Sequence, residues 1–126
     1  MPVFTLYTNI CHSAMPQTIM TDLWKLFEQT LDVPAQYIAV IIHPDQKVIF
    51  GGTKDPCGLC SLQRIGMADG LRNEQYSRII CEFLQKQLQI PPDRVYINFI
   101  DIIGANVGWN STTLAGFENK SGNTKV

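Results

Sequence analysis

Two stretches of this chain repeat one pattern at an offset of 57 residues (Leu31 against Leu88), and the repetition limits the folds open to it. Leu31-Asp32-Val33-Pro34-Ala35-Gln36-Tyr37-Ile38-Ala39-Val40 lines up with Leu88-Gln89-Ile90-Pro91-Pro92-Asp93-Arg94-Val95-Tyr96-Ile97. Each begins at a leucine that closes a helical stripe, passes a β-branched residue followed by proline, and enters an apolar run. Proline cannot continue a helix, and it presets an extended entry to whatever follows.

The flanking order matches as well. Val3 to Thr8 alternates as a strand should. After Pro16, suited to a first helical turn, Ile19, Met20, Leu23, Phe27 and Leu31 fall on one stripe, with Asp22, Lys25, Glu28 and Gln29 mostly off it. Tyr37 to His43 reads as a β-branched strand, and Lys47 to Phe50 as a short one after the Pro44-Asp45 turn. In the second cycle Leu59 to Ile65 reads as a strand and Gly66 to Gly70 as a break. Tyr76, Ile79, Ile80, Phe83, Leu84 and Leu88 form another helical stripe, Arg94 to Ile100 a strand, and Val107 to Trp109 a short last one.

The expected fold is therefore α/β (α+β). Two pseudo-symmetric βαβ units, each a right-handed crossover, form a four-stranded mixed sheet with two helices on one face. If a two-fold axis relates the halves, their first strands run antiparallel at the sheet centre, and Pro2 falls beside Arg64-Ile65-Gly66. The second sheet face stays bare, and oligomerisation is the expected remedy.

Bulk properties narrow the partners. A chain of 126 residues with 45% hydrophobic content fits one domain with a real core. Ten basic and eleven acidic residues give a net charge of −1, which offers no basic surface for nucleic acid and no polybasic anchor. No run approaches the length of a membrane span, so no membrane insertion is expected. No basic-then-apolar N-terminal pattern signals secretion, so Cys11, Cys57, Cys60 and Cys81 are expected reduced in the cytoplasm. On the same ground Asn110-Ser111-Thr112 and Asn119-Lys120-Ser121 should stay unglycosylated.

Met1 is normally trimmed when a small residue follows, which would leave Pro2 with a free secondary amine. An α-amino group titrates at roughly 7.7–8.0, and burial disfavours its charged form. A terminal proline in an apolar pocket is then a neutral base near pH 7. A proline there also suits the start of an edge strand, where its missing N–H costs nothing. The dipeptide alone leaves both readings open.

Pro2, Tyr37-Ile38-Ala39-Val40, Pro44-Asp45-Gln46, Phe50-Gly51-Gly52, Pro56-Cys57-x-Leu59-Cys60-Ser61-Leu62, Pro92-Asp93-Arg94-Val95-Tyr96-Ile97-Asn98 and Ala105-Asn106-Val107-Gly108-Trp109-Asn110 together resemble the macrophage migration inhibitory factor family of the tautomerase superfamily. The likeness runs without gaps from residue 1 to about 115, leaving 116–126 as a polar C-terminal extension, expected to be loose, with shielding of the pocket or the trimer axis as the alternative. It implies a homotrimer with a pocket at each subunit interface. It implies cofactor-independent keto–enol tautomerase activity on aromatic keto acids or dopachrome-like substrates. It further implies extracellular cytokine signalling through cell-surface cytokine or chemokine receptors after non-classical secretion.

Residue by residue, the resemblance makes Pro2 the catalytic base and Ile65 a substrate-binding position. It makes Tyr96 and Asn98 contributions of a neighbouring subunit, and Tyr37, Val107 and Trp109 pocket walls. On spacing alone the three aromatics would be ordinary packing residues. Tyr96 and Asn98 alternate with Val95, Ile97 and Phe99 and so share a sheet face. A phenol and an amide can donate hydrogen bonds where an enolate develops. The chain also departs from the family. Val33 stands where lysine usually holds the substrate carboxylate, so weak binding of free keto acids is expected. Leu114 stands where phenylalanine is usual, Ile100 replaces an aromatic residue, and Arg64 a small polar one. Arg64 is either a solvated strand-end cation or a replacement for the missing lysine.

Cys57-Gly58-Leu59-Cys60 has CxxC spacing but leads into a strand, away from the helix dipole that favours a thiolate. A redox role for Cys57 and Cys60, which the family implies, stands beside the reading of two packed thiols. No metal site is expected, since His12 and His43 show no paired spacing with the cysteines. His12 and Asp45 fall where the resemblance implies receptor contact.

Overall fold

A computed structural model describes residues 1–66 and 69–121, with the backbone alone for residues 118–121. Strand β1 (Val3–Thr8) leads through a 3-10 turn at His12–Ala14 into helix α1 (Ile19–Thr30). Strand β2 (Ala39–His43), strand β3 (Gly58–Arg64), helix α2 (Gly70–Leu88) and strand β4 (Val95–Asp101) follow. The sheet order is β2-β1-β3-β4. β1 pairs parallel with β2 and antiparallel with β3, and β3 pairs parallel with β4. These are the two βαβ units expected from the repeat, joined through their first strands.

Helix ends follow local chemistry. The Asp69 carboxylate accepts from the Leu71 and Arg72 N–H groups and caps α2, at 3.1 and 3.2 Å. α2 ends as Gln89 turns left-handed at φ 55°, and Pro91-Pro92 prevents resumption. α1 starts at Ile19, three residues after Pro16, and ends where Leu31 becomes extended ahead of Pro34.

Alternate residues of the sheet then build one core. Phe4 and Leu6 of β1, with Cys60 and Leu62 of β3, meet Leu23 and Phe27 of α1 and Ile80 and Leu84 of α2, all buried. The Phe4 and Phe27 rings lie 4.8 Å apart. Residues of the other parity remain uncovered: Tyr7 is 44% exposed, Ile41 43%, Leu59 36% and Tyr96 67%. The bare face is thus apolar as well as unpartnered within one chain.

Two short segments differ from the sequence reading. Lys47 to Phe50 is not a strand; only Phe50 makes a bridge, to Thr53. At its end Arg94 takes over: the guanidinium donates to the carbonyls of Phe50, Thr53, Asp55 and Pro56 at 2.9 to 3.4 Å and ties the chain from Phe50 to Pro56 into a loop. Arg94→Ala is expected to leave these groups to water and to destabilise the protein by about 1–3 kcal/mol, read by chemical denaturation at fixed protein concentration.

The short last strand is half of a hairpin. β5 (Gly108–Trp109) pairs with β6 (Thr112–Thr113) across Asn110 and Ser111, both at positive φ as a tight hairpin turn requires. A further helix, α3 (Leu114–Ser121), runs from β6 into the segment expected as a loose extension, so residues 116–121 are helical. The remaining five, 122–126, lie outside the described residues.

Candidate active site

The start of β1 is where the candidate residues converge. Pro2 is among the most fully buried side chains, under 2% exposed. Its carbonyl accepts from the Ala39 N–H at 3.0 Å, which brings the entry of β2 alongside. On the other flank Val3 pairs with Gln63, so one step further the register sets Pro2 against Arg64. Phe4, Leu62 and Phe99 share the helix-covered face, and by alternation Pro2 and Arg64 lie on that face too. The placement of Pro2 beside Arg64-Ile65, expected from pseudo-symmetry, matches the observed pairing.

Ile65 leaves β3 immediately after Arg64. Its side chain lies against Gly104, where a Cβ would come within 3.4 Å of the Ile65 Cδ1 and 3.2 Å of the Ala115 backbone nitrogen. The absence of a side chain at Gly104 therefore lets the 3-10 turn at Gly104–Asn106 and the start of α3 close around Ile65. Two bonds fix this corner: Ile102 N–H to the Arg64 carbonyl at 3.0 Å, and Gly66 N–H to the Asp101 carboxylate at 2.8 Å.

An aromatic wall stands beside it. Tyr37, in the 3-10 turn that leads to β2, meets Trp109 edge-to-face with centroids 5.6 Å apart and planes at 80°. Trp109 in turn meets Phe117 of α3 at 4.8 Å and 77°. Val107 is half-buried, and its carbonyl accepts from the Leu114 N–H at 2.9 Å, which anchors α3 to the strand end. Leu114, in place of the phenylalanine usual in the resembled family, is buried.

Tyr96 and Asn98 are not brought to this corner. Tyr96 pairs in register with Leu59 and Asn98 with Ser61, so both project from the bare face, away from their own chain's Pro2. Tyr96 packs against Phe50 at 4.8 Å, and Asn98 is exposed. Ile100 shares their face by the same alternation.

Val33 is half-buried and packs against the hydrophobic core. Arg64 lines a cleft of about 400 Å³ between the two helices, together with Thr30, Asp32, Arg72, Gln75, Tyr76 and Ile79. Two arginines thus line one cleft at the end of β3; Arg72 Nε also lies 3.9 Å from the Asp69 carboxylate. Sequence reading passed over Arg72, which has no motif around it. It also passed over Phe117, whose only signal is an aromatic residue in a polar segment.

The cysteine pair is held as thiols. Cys57 and Cys60 are both buried, at 0% and 5% exposed. Burial, with a smaller contribution from Cys81, pushes the Cys60 thiol up to about 12. Burial also raises Cys57, against the opposing pull of the Arg94 guanidinium. Both shifts work against the thiolate a redox role would need.

At the opposite end of β1, the His12 N–H donates to the Asp45 carboxylate at 3.1 Å. His12 also borders a cleft of about 410 Å³ with Met15, Pro16, Met20, Ile42 and Pro44. The two residues expected at a receptor surface are therefore neighbours, remote from Pro2.

Known proteins share this fold. The family model described as macrophage migration inhibitory factor matches residues 1–115. The Xenopus tropicalis macrophage migration inhibitory factor is 50% identical over 115 residues, 91% of this chain and all of that protein. The Mus musculus protein of the same name is 47% identical over the same coverage. The solved macrophage migration inhibitory factor of Trichinella spiralis superposes with a TM-score of 0.84 at 37% identity, covering 88% of this chain and 98% of that one. The fold and the full-length match lead to one statement of kinship: the chain belongs to the macrophage migration inhibitory factor family.

Proposed function

We propose that this protein is a cofactor-independent keto–enol tautomerase whose general base is Pro2 once Met1 has been removed. The observation that carries the reading is the burial of Pro2 where β2 begins, on the helix-covered sheet face that β3 ends on at Arg64, with Ile65 next along β3 and Tyr37, the partner of Trp109, just ahead of β2. While Met1 is attached the Pro2 nitrogen is an amide without a basic lone pair. After trimming it is a secondary amine in an apolar setting, neutral at working pH and able to take the acidic proton on carbon next to a ketone. The Ile65 N–H positions the substrate, the aromatic wall takes a flat ring, and the proton returns elsewhere on the enol. Aromatic keto acids of the phenylpyruvate type and dopachrome-like indolines fit that wall.

The remaining groups come from a second copy. Because Tyr96 and Asn98 leave the opposite face from Pro2, they serve a pocket only across a subunit contact. The exposed apolar residues Tyr7, Ile41, Leu59 and Tyr96 give that contact its driving force, and the assembly we propose is a homotrimer sharing three pockets. There the Asn98 amide and Tyr96 phenol face the oxygen on which charge develops.

Extracellular signalling is the second reading, favoured by the name its relatives carry and by the His12–Asp45 contact on a surface far from Pro2. The route would be non-classical secretion from a cytoplasmic pool.

The test combines intact mass, sedimentation and turnover on one purified sample. Expected are a mass lacking Met1, one species of three subunits at micromolar concentration, and conversion of phenylpyruvate enol followed by absorbance. A clean monomer would remove the shared pocket, and retained Met1 with full activity would remove Pro2 as the base.

A further inference from the structure

Helix α3 carries the aromatic wall past the point where the family match ends. The match stops at residue 115, and Phe117 lies beyond it. The placement of α3 is set by specific contacts. The Leu114 N–H is bonded to Val107, its side chain is buried, and the Gly116 N–H donates to the Thr113 hydroxyl at 3.0 Å. A Cβ on Gly116 would sit 2.6 Å from the Thr112 hydroxyl oxygen, so with any other residue the Thr112 side chain would have to turn aside for the helix to lie this close to the hairpin. Phe117, one residue on, is thereby delivered onto Trp109 at 4.8 Å and 77°, while Trp109 meets Tyr37 at 5.6 Å and 80°. Trp109 keeps 37% of its surface exposed, so the ring is held by aromatic neighbours yet still open to a ligand.

We propose that Phe117 is a positioning residue for substrate selection: it fixes the Trp109 ring and thereby favours substrates that carry a flat aromatic group. The inference rests on Tyr37 and Trp109 being the pocket wall of the proposed tautomerase. Without Phe117, Trp109 keeps one of its two aromatic neighbours among the described residues, Tyr37, and its ring must be ordered at the moment of binding, which weakens affinity without touching the proton transfer. Aliphatic keto acids do not use the wall and should not notice the change.

The experiment uses the full trimeric protein in a Trp24→Phe background, so that emission reports Trp109. Phe117→Ala and the ring-retaining Phe117→Tyr are compared with the parent. For Phe117→Ala the KM for phenylpyruvate should rise about two- to tenfold, the range of one aromatic pair, with kcat little changed. The KM for an aliphatic keto acid should hold, Trp109 emission should shift to the red, and Phe117→Tyr should behave as the parent. An equal rise for both substrates, or shifted emission with unchanged KM, would overturn the proposal and leave Phe117 a merely structural contact. Quenching of Trp109 by phenylpyruvate gives a Kd on the same variants without turnover. If the parent binds but does not turn over, the tautomerase reading fails, and the same two- to tenfold weakening of Kd still decides the role of Phe117. A parent that neither binds nor turns over sinks both.

Discussion

Pro2→Gly, processed to a free terminal glycine, is expected to lose tautomerase turnover by about 10²–10⁴-fold, the range a positioned general base contributes. The fold should persist, because the position's only described backbone bond, from Ala39 N–H to the Pro2 carbonyl, does not need a proline. Circular dichroism and sedimentation should therefore match the parent while activity does not. Glycine keeps an α-amino group but loses the ring that fixes it, so a residual rate is expected rather than zero. The pH dependence has a definite sign. The working form of the base is neutral, so activity must fall as acid protonates the amine. The burial of the position disfavours the charged amine and moves that fall to lower pH. A variant that retains Met1 should be less active still than Pro2→Gly at every pH, since an amide nitrogen has no comparable basicity. Full activity in either variant would require a different base.

The helix and strand positions were readable because burial on one face writes itself as periodicity. Ile19, Leu23 and Phe27 on α1 and Ile80, Leu84 and Leu88 on α2 are spaced to meet one sheet face, and they do. The placement of Pro2 beside Arg64 was readable for a different reason: the internal repeat implied an axis, and an axis fixes which strand ends meet. Lys47 to Phe50 was misread because the Phe50 carbonyl at its end is taken by a side chain 44 residues away, Arg94, which ties the chain from Phe50 to Pro56 into a loop. Local alternation carries no trace of such a partner. α3 was missed for a related reason. Its position depends on the lack of a side chain at Gly116 and on the buried Leu114, whereas its composition is that of a tail. Val33 shows the limit from the other side. Its departure from the family is legible in one letter, but what replaces the lysine depends on which cations the fold gathers near Pro2.

That replacement gives the last prediction. A charged hydrogen bond to a substrate carboxylate in a partly buried site is worth on the order of 1.5–3 kcal/mol, roughly ten- to a hundredfold in binding. Val33 packs against the core and offers no donor, whereas Arg64 lies on the face of Pro2 and shares a cleft with Arg72. If nothing holds the carboxylate, Val33→Lys should lower the KM for free phenylpyruvate about tenfold and leave its methyl ester unchanged, the lysine stem lying along apolar surface with its ammonium at the pocket rim. If Arg64 already holds it, Val33→Lys should gain little, and Arg64→Met should raise the KM for the acid about tenfold while sparing the ester. The register across β1 and β3 favours the second outcome, since one step past the Val3–Gln63 pair it brings Arg64 alongside Pro2 on one sheet face. The double variant then becomes the sharpest measurement. If adding Val33→Lys to Arg64→Met restores acid binding, two cations can serve one carboxylate from different segments of the same corner. Equal effects on acid and ester would mean that neither residue meets the carboxylate and that both changes act through packing.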